Sequence, residues 1–213
     1  MAGYFSNYNP AYDSYGTLQY TPDVAQTAEE PVSLAAAKAF LRQDAPDDDD
    51  LISSLITAAR EQAEMYQRRI LVRKQFDLTF DYWPSFRIEL ATPVVSVDLV
   101  QYTDGDGDVQ PLVAGTDYIA DLSKQPAVIT TPVNTTWPWF NPAPSSSILI
   151  RFTAGYASDD AYWANGGARV KIGMLLLIAH WYTNRLAITA GASAELPMSI
   201  TMCLSSGTLR RAR

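Results

Sequence analysis

The sequence predicts an α+β fold, with a helical bundle around a central apolar helix, an inserted small antiparallel β-sheet, and extended N- and C-terminal arms. One observation is a long apolar run near the C-terminus, which predicts a helix that must be covered on nearly all sides. Two earlier segments have apolar residues at helical spacing, and the stretch after them alternates apolar and polar residues. The predicted elements are helices 33–43, 48–70 and 168–186 and a β insertion at 74–153.

Composition limits the function classes. A chain of 213 residues can bury a sizeable core, and its formal net charge of −7 argues against wrapping nucleic acid. Cys203 is the single cysteine, so neither an intrachain disulfide nor a cysteine-based metal site is expected. The N-terminus lacks the basic start and apolar core of a signal peptide, which predicts assembly in the cytoplasm.

Residues 1–31 are predicted to be an N-terminal extension without helical or strand periodicity. The segment is acidic, contains no Lys or Arg, and should not bury enough surface to order by itself. Two interpretations stay open: a flexible tail, or an arm that orders against a neighbouring subunit or partner. The aromatic residues available for such a contact are Tyr4, Phe5, Tyr8, Tyr12, Tyr15 and Tyr20.

The first two helices have clear start signals. Ser33 is a natural N-cap for the first helix. The second helix follows an acidic quartet, which lies at the positive end of the helix dipole, while Arg68 and Arg69 lie at the negative end. Metal binding by the quartet is disfavoured, because consecutive carboxylates at a helix start point in different directions. The quartet is Asp47, Asp48, Asp49 and Asp50.

The β insertion is predicted from apolar residues that alternate with polar ones and so share a face. Later candidate strands are 117–120, 127–130 and 147–152. The Asp-Gly repeat at 104–108 predicts a hairpin rather than a calcium loop, because an EF-hand would need Gly and Glu where Val109 and Gly115 stand. The alternating sets are Phe76, Leu78 and Phe80; Phe86, Ile88 and Leu90; Val95, Val97 and Leu99; and Ile148, Ile150 and Phe152.

Residues 134–144, named the Trp-rich loop, are predicted to form a proline-rich loop, since proline is excluded from central strands. The loop carries Trp137, Trp139 and Phe140. Three interpretations stay open: the loop folds over its own sheet, contacts a neighbouring subunit, or stacks on a sugar or base.

The central helix, 168–186, ends in a polar and cationic turn, Asn184-Arg185. It is too short to cross a bilayer, because Arg169, Lys171 and His180 interrupt the apolar run. The segment that follows, up to residue 206, predicts a further short helix or an extended strand. The basic tail, 207–213, suits an acidic partner or is simply solvated.

No catalytic pattern is found. His180 is the single histidine, and neither a nucleophile–base pair nor a phosphate-binding glycine loop is recognisable. We therefore predict a protein that is not an enzyme and that needs no cofactor or metal.

The order of several short motifs resembles the head–tail connector (adaptor) proteins of tailed bacteriophages, also found in prophages and gene-transfer particles. The similarity runs from about Val32 to Leu204. Residues 1–31 and the Trp-rich loop lie outside it. The motifs are Val32-Ser33-Leu34-Ala35, Thr153-Ala154-Gly155-Tyr156, and Ala179-His180-Trp181-Tyr182 with Asn184-Arg185.

The resemblance implies a structural protein of the virion neck, forming a ring of about twelve copies under the portal. The ring would extend the DNA channel and offer a docking platform for a downstream tail or nozzle protein. In the family the C-terminal segment docks on the portal, which carries over to 196–213. The implied portal contacts are Leu196, Met198, Ile200, Met202, Leu204, Leu209, Arg210, Arg211 and Arg213.

The residue-level features agree with this implication. The acidic quartet is a candidate channel lining that repels DNA phosphates, so that the genome passes without specific binding. No membrane partner is expected. The alternatives are a carbohydrate- or cell-surface-binding virion module that uses the Trp-rich loop, and a nucleic-acid-handling protein that uses the arginine tail.

Overall fold

The computed structural model describes residues 16–20, 29–84, 87–139, 147–184 and 198–205, and it is an α+β protein, as predicted. The described residues divide into two units. Residues 16–20 and the described part of 73–155 form a β unit, and the described parts of 29–72 and 156–205 form a helical unit. The elements are β1 (Gly16–Tyr20), α1 (Leu34–Leu41), a 3₁₀ turn (Pro46–Asp48), α2 (Asp49–Gln67), β2 (Lys74–Phe80), β3 (Arg87–Leu90), β4 (Val94–Thr103), β5 (Val109–Pro111), β6 (Ile119–Asp121), β7 (Ala127–Thr130), β8 (Ile148–Ala154), α3 (Ala161–Asn165), α4 (Gly167–Thr183) and α5 (Met198–Ser205).

Within its described residues the β unit contains two antiparallel sheets, where the sequence predicted one. The larger has the strand order β1-β2-β8-β4-β5, and the smaller has the order β3-β7-β6. In the larger sheet Leu78 lies opposite Ile150, and Phe76 lies opposite Phe152 with ring centroids 5.8 Å apart. All four side chains are buried, which confirms the predicted alternation in β2 and β8. Ile88 and Leu90 of β3 are also buried, whereas Phe86 lies outside the described residues.

The face predicted for β4 is wrong. Val97 lies opposite the buried Phe152, but Leu99 lies opposite Arg151 and Val95 is 44% exposed. The register shifts once between Val94 and Ser96 and again between Val97 and Leu99. Each shift inserts one extra residue, which resets the two-residue alternation of side chains.

The hairpin predicted at 104–108 is confirmed, because it joins the paired strands β4 and β5. The backbone N–H groups of Asp106 and Asp108 donate to Asp104 Oδ1 at 3.1 and 3.0 Å. Gly107 has φ +90°, a conformation that glycine adopts without strain. A hydrogen bond from Gln110 and backbone donors such as Asp108 N–H lower the pKa of the Asp104 carboxyl.

The N-terminal extension contains a strand that the sequence did not predict. Residues Gly16 to Tyr20 pair with β2 in continuous antiparallel register, from Gly16 opposite Phe80 to Tyr20 opposite Phe76. The alternation of polar and apolar residues in this segment is too short to indicate a strand by itself. Its backbone partners come from a distant part of the chain. The aromatic residues from Tyr4 to Tyr15 lie outside the described residues.

The helical unit is built on α4, which contacts α1, α2, α3 and α5. Met174, Leu177 and Ile178 of α4 are fully buried and share a core with residues of the other helices, such as Ile52 of α2. The predicted cover of α4 on nearly all sides is incomplete in the single chain at Ile172, which is 51% exposed. None of the helices among the described residues is long and apolar enough to cross a membrane.

Local side-chain contacts explain where the helices begin and end. Ser33 Oγ accepts from Ala36 N–H at 3.2 Å, which confirms the predicted N-cap of α1. Helix α2 ends at Gln67, earlier than predicted, because Arg68 takes a left-handed backbone conformation with φ 54°. The buried Glu64 then accepts from Leu71 N–H at 2.8 Å, which fixes the chain after the helix. Helix α3 was not predicted, and Asp160 caps it by accepting from Tyr162 N–H.

Candidate interaction surfaces

Helix α5 has one buried and one exposed face. Ile200 and Leu204 are 3% and 0% exposed, whereas Met198 and Met202 are 86% and 75% exposed. Residues four apart lie on the same face of a helix, so the four side chains separate into two pairs. Ile200 and Leu204 belong to the core of their own subunit. The prediction that these two side chains contact the portal is therefore wrong. Contact of Met198 and Met202 with a portal stays a prediction.

The remaining predicted portal contacts are not described. Leu196, Leu209, Arg210, Arg211 and Arg213 lie outside the described residues.

Helix α5 packs closely on α4 at Gly173. A Cβ atom at this position would lie 2.7 Å from Leu204 Cδ2 and 3.2 Å from Cys203 Cβ, which is closer than van der Waals contact allows. The missing side chain therefore sets the distance between the two helices. Sequence reasoning did not identify this role of Gly173.

A buried glutamine holds the end of α5. Gln67, which is fully buried, donates from Nε2 to the carbonyl oxygen of Leu204 at 3.0 Å. Its Oε1 accepts from the hydroxyl of Tyr162 at 3.0 Å. Sequence reasoning missed this residue, although a glutamine in line with Ala59 and Ala63 on the buried face of α2 was a usable signal.

The tyrosine that binds Gln67 belongs to an aromatic stack. The rings of Tyr162 and Tyr156 lie 3.9 Å apart and nearly parallel, at 6°. Arg69 donates to the Tyr156 hydroxyl at 3.1 Å. Burial, together with the neighbouring Tyr156, raises the pKa of Tyr162 to about 12, against a smaller lowering by Arg69. The neutral phenol therefore persists at physiological pH and donates to Gln67.

The acidic quartet is divided between internal contacts and solvent. Asp48 accepts from the Tyr182 hydroxyl at 2.5 Å, and Asp49 pairs with Lys38 at 2.5 Å. These contacts tie the start of α2 to α4 and α1. Asp47 and Asp50 are exposed. Whether the quartet lines a channel stays a prediction, and Asp47 and Asp50 are the members with exposed side chains.

The Trp-rich loop is partly folded over its own sheet. Trp137 stacks on Trp83 with ring centroids 4.4 Å apart and an interplanar angle of 5°, and Trp83 packs edge-on against Tyr102. Trp139 is 91% exposed, and Phe140 lies outside the described residues. An open groove of about 670 Å³ is lined by Trp83, Pro84 and residues from 130 to 139, none of them charged. For Trp137, the interpretation that the loop folds over its own sheet therefore applies. Contact of Trp139 with a neighbouring subunit, or with a sugar or base, stays a prediction.

The described residues offer no obvious reaction chemistry. Among them, no group of three or more His, Cys, Asp and Glu side chains is arranged to hold a metal ion. His180 Nδ1 lies 3.4 Å from the side-chain amide of Asn184 on the same helix. The geometry described so far is that of packing surfaces.

The fold is similar to that of solved chains from gene transfer agent (GTA) particles. One chain in the neck of an empty GTA particle computed with C6 symmetry is 22% identical, with a TM-score of 0.65, covering 92% of this chain and 99% of that one. A chain of the virion of a native gene transfer agent (GTA) particle is 19% identical, with a TM-score of 0.68 and coverages of 92% and 97%.

A third similar chain comes from the neck of a native GTA particle computed with C12 symmetry, at 20% identity, a TM-score of 0.61 and coverages of 92% and 99%. No protein-family model and no curated protein sequence matches this chain. The resemblance to connector proteins of phages and gene-transfer particles is therefore confirmed at the level of the fold.

Proposed function

We propose that this protein is a structural component of the neck of a phage-like virion, where it acts as a head-to-tail adaptor. The carrying observation is that the fold agrees with GTA neck chains over 92% of this chain and 99% of each of two such chains. In this role the protein works by binding its neighbours, with the portal on one side and a tail or nozzle protein on the other.

The proposed assembly is a closed ring of about twelve copies. The similar chains belong to necks computed with C6 and C12 symmetry, which supports a ring with sixfold or twelvefold repetition. Each copy has apolar surface for such contacts. On α4, Ile172 is 51% exposed, and Leu175 and Leu176 are half-buried. In the ring, a neighbouring copy completes the helical bundle around α4 by covering this face.

The proposed portal contact is the exposed face of α5. Met198 and Met202 present flexible, polarizable side chains, which adapt well to the surface of another protein. Ile200, Leu204 and the hydrogen bond from Gln67 hold the helix in place beneath them. The arginine tail, with Arg210, Arg211 and Arg213, extends this contact to acidic grooves on the portal.

The genome is proposed to pass through the ring without specific binding. Because its formal net charge is −7, the protein should repel DNA phosphates. Asp47 and Asp50 are exposed members of the acidic quartet and are the proposed channel-lining positions.

Electron microscopy of the purified protein, alone and mixed with its portal, tests this proposal. We expect rings that stack on the portal. The double variant Met198→Ser/Met202→Ser should still form rings but no longer bind the portal, because it changes only exposed side chains of α5. Met65→Ser is the matched control, since Met65 is 58% exposed and belongs to α2 rather than α5. A protein that stays monomeric, or rings of the double variant that bind the portal normally, would contradict the assignment.

A second function has one observation in its favour. The uncharged groove beside Trp139 combines exposed aromatic surface with threonine and asparagine side chains, a combination suited to a neutral sugar. Titration of the protein with neutral oligosaccharides, followed by tryptophan fluorescence, tests it. Binding that Trp139→Ala abolishes would support a carbohydrate-binding module, and the absence of any signal removes this alternative.

A further inference from the structure

The starting observation is the outer edge of β2. One side of β2 pairs with β8 in the body of the larger sheet, and the other side receives β1. The two strands are not joined as a hairpin, because α1 and α2 lie between them in the sequence. Of the described elements, β1 makes its main contacts with β2. β1 is therefore a separate segment that pairs along the outer edge of the sheet formed by the other strands.

The edge that β1 covers needs a partner strand. β2 also pairs with β8 along its whole length, from Lys74 to Phe80, so a partner other than β1 holds the strand in the sheet. Without β1, its outward N–H and C=O groups form a template that would pair with any available strand. Strand addition at such an edge draws its affinity from main-chain hydrogen bonds. A second copy of this chain offers the same strand, with the same register.

The C-terminal end of the N-terminal arm is held on α2 through Glu30. The carboxylate of Glu30 accepts from Arg60 Nε at 3.0 Å and from the Thr57 hydroxyl at 3.3 Å, and both donors lie on α2. The arm thus has an anchored base in the helical unit and a pairing strand nearer its tip. Such an arm can donate its strand to its own sheet or to that of an adjacent copy.

We propose that, in the assembled ring, β1 of each copy lies on β2 of the neighbouring copy, in the register seen in the single chain. This inference rests on the proposed ring. Exchange replaces each hydrogen bond with an identical one, so its cost in contacts is small, and neighbours in a ring are present at high effective concentration. Every copy then donates one strand and accepts one, so that the exchange closes head to tail and leaves no β2 edge uncovered.

Disulfide crosslinking in the known register tests the exchange. Thr17 lies opposite Thr79, and the side chain of Thr79 faces away from the buried residues of β2. In a Cys203→Ser background, chains with both Thr17→Cys and Thr79→Cys are assembled into rings, oxidised, and analysed on non-reducing denaturing gels. We expect a ladder of covalent oligomers. Rings assembled from a mixture of the two single-cysteine chains should yield covalent dimers.

The control uses the same acceptor cysteine. Leu149 lies opposite Thr79 on the β8 side, within the body of the sheet. Thr79→Cys/Leu149→Cys should therefore give internally crosslinked monomers, and its two single-cysteine chains should give no dimers when mixed. Normal rings in which the Thr17/Thr79 pair also gives only monomers would overturn the exchange while leaving the ring intact. Failure to form rings at all, seen by electron microscopy before oxidation, overturns both the exchange and the proposed function.

Discussion

The substitution Leu204→Ala should detach helix α5 from α4 while the rest of the helical unit stays folded. Leu204 is fully buried against Gly173, and replacing such a leucine by alanine typically costs about 2–5 kcal/mol. Helix α5 has eight residues and is too short to be stable by itself, so it depends on Ile200, Leu204 and the hydrogen bond from Gln67. At about 1.4 kcal/mol per factor of ten, the detached population should rise roughly 30- to 4,000-fold.

Amide hydrogen exchange over residues 198–205 measures this detachment directly. Leu204→Ala should lose protection there by a similar factor, with smaller changes in α2. Met202→Ala is the matched control on the same helix, since Met202 is 75% exposed and its truncation should change exchange little. Unchanged protection in Leu204→Ala, or an equal loss in Met202→Ala, would refute the view that α5 is held by its buried face.

Two further predictions concern the charged and phenolic groups of the helical unit. Glu64 pairs with the buried Arg60 at 2.7 Å, so Glu64→Gln should destabilise the protein by about 2–4 kcal/mol in urea denaturation, whereas Glu61→Gln, at an exposed site 3.6 Å from Arg60, should cost under about 0.5 kcal/mol. Equal effects of the two substitutions would contradict this. The pKa of Tyr162 is raised to about 12 from an ordinary value of about 10, so its contribution to stability is fully present below pH 10 and is lost as the pH rises towards 12. A tyrosinate absorbance titration should lose one late-ionising group in Tyr162→Phe, and loss of a group that ionises near pH 10 instead would be inconsistent with the buried stack.

Local signals in the sequence predicted most of the helices and the main strands. The N-cap at Ser33, the apolar run of α4 and the alternation in β2 and β8 depend on residues close together in the chain. The hairpin at 104–108 was predictable for the same reason, since an Asp-Gly turn carries its own backbone preference.

The features that the sequence did not predict depend on distant residues or on single insertions. The two shifts in β4 insert one residue each and involve no proline or glycine, so nothing in the residue types indicates them. The strand Gly16–Tyr20 exists because β2 offers it a partner. The division into two sheets likewise depends on pairing between segments far apart in the chain.

In the segment 198–205, one ambiguous sequence pattern determined which residues were predicted to contact a partner. Apolar residues at 198, 200, 202 and 204 alternate, which suits a strand with one apolar face or a helix with two. As a strand, all four would face a partner together. As the helix α5, the pattern separates Ile200 and Leu204, which are buried, from Met198 and Met202, which are exposed. The Gln67 contact with the Leu204 carbonyl could not be inferred without knowing that α5 is a helix.

If α5 contacts a partner as proposed, the glycine at position 173 makes the geometry of that contact tunable. Alanine, serine and valine at this site form a graded series of wedges between α4 and α5, because even one added carbon would press on Leu204 at 2.7 Å. Such wedges would tilt the methionine-bearing face of α5 while leaving every atom on that face chemically unchanged. Compensating substitutions in a partner, selected against each wedge in turn, would then report on the angle at which the two molecules meet.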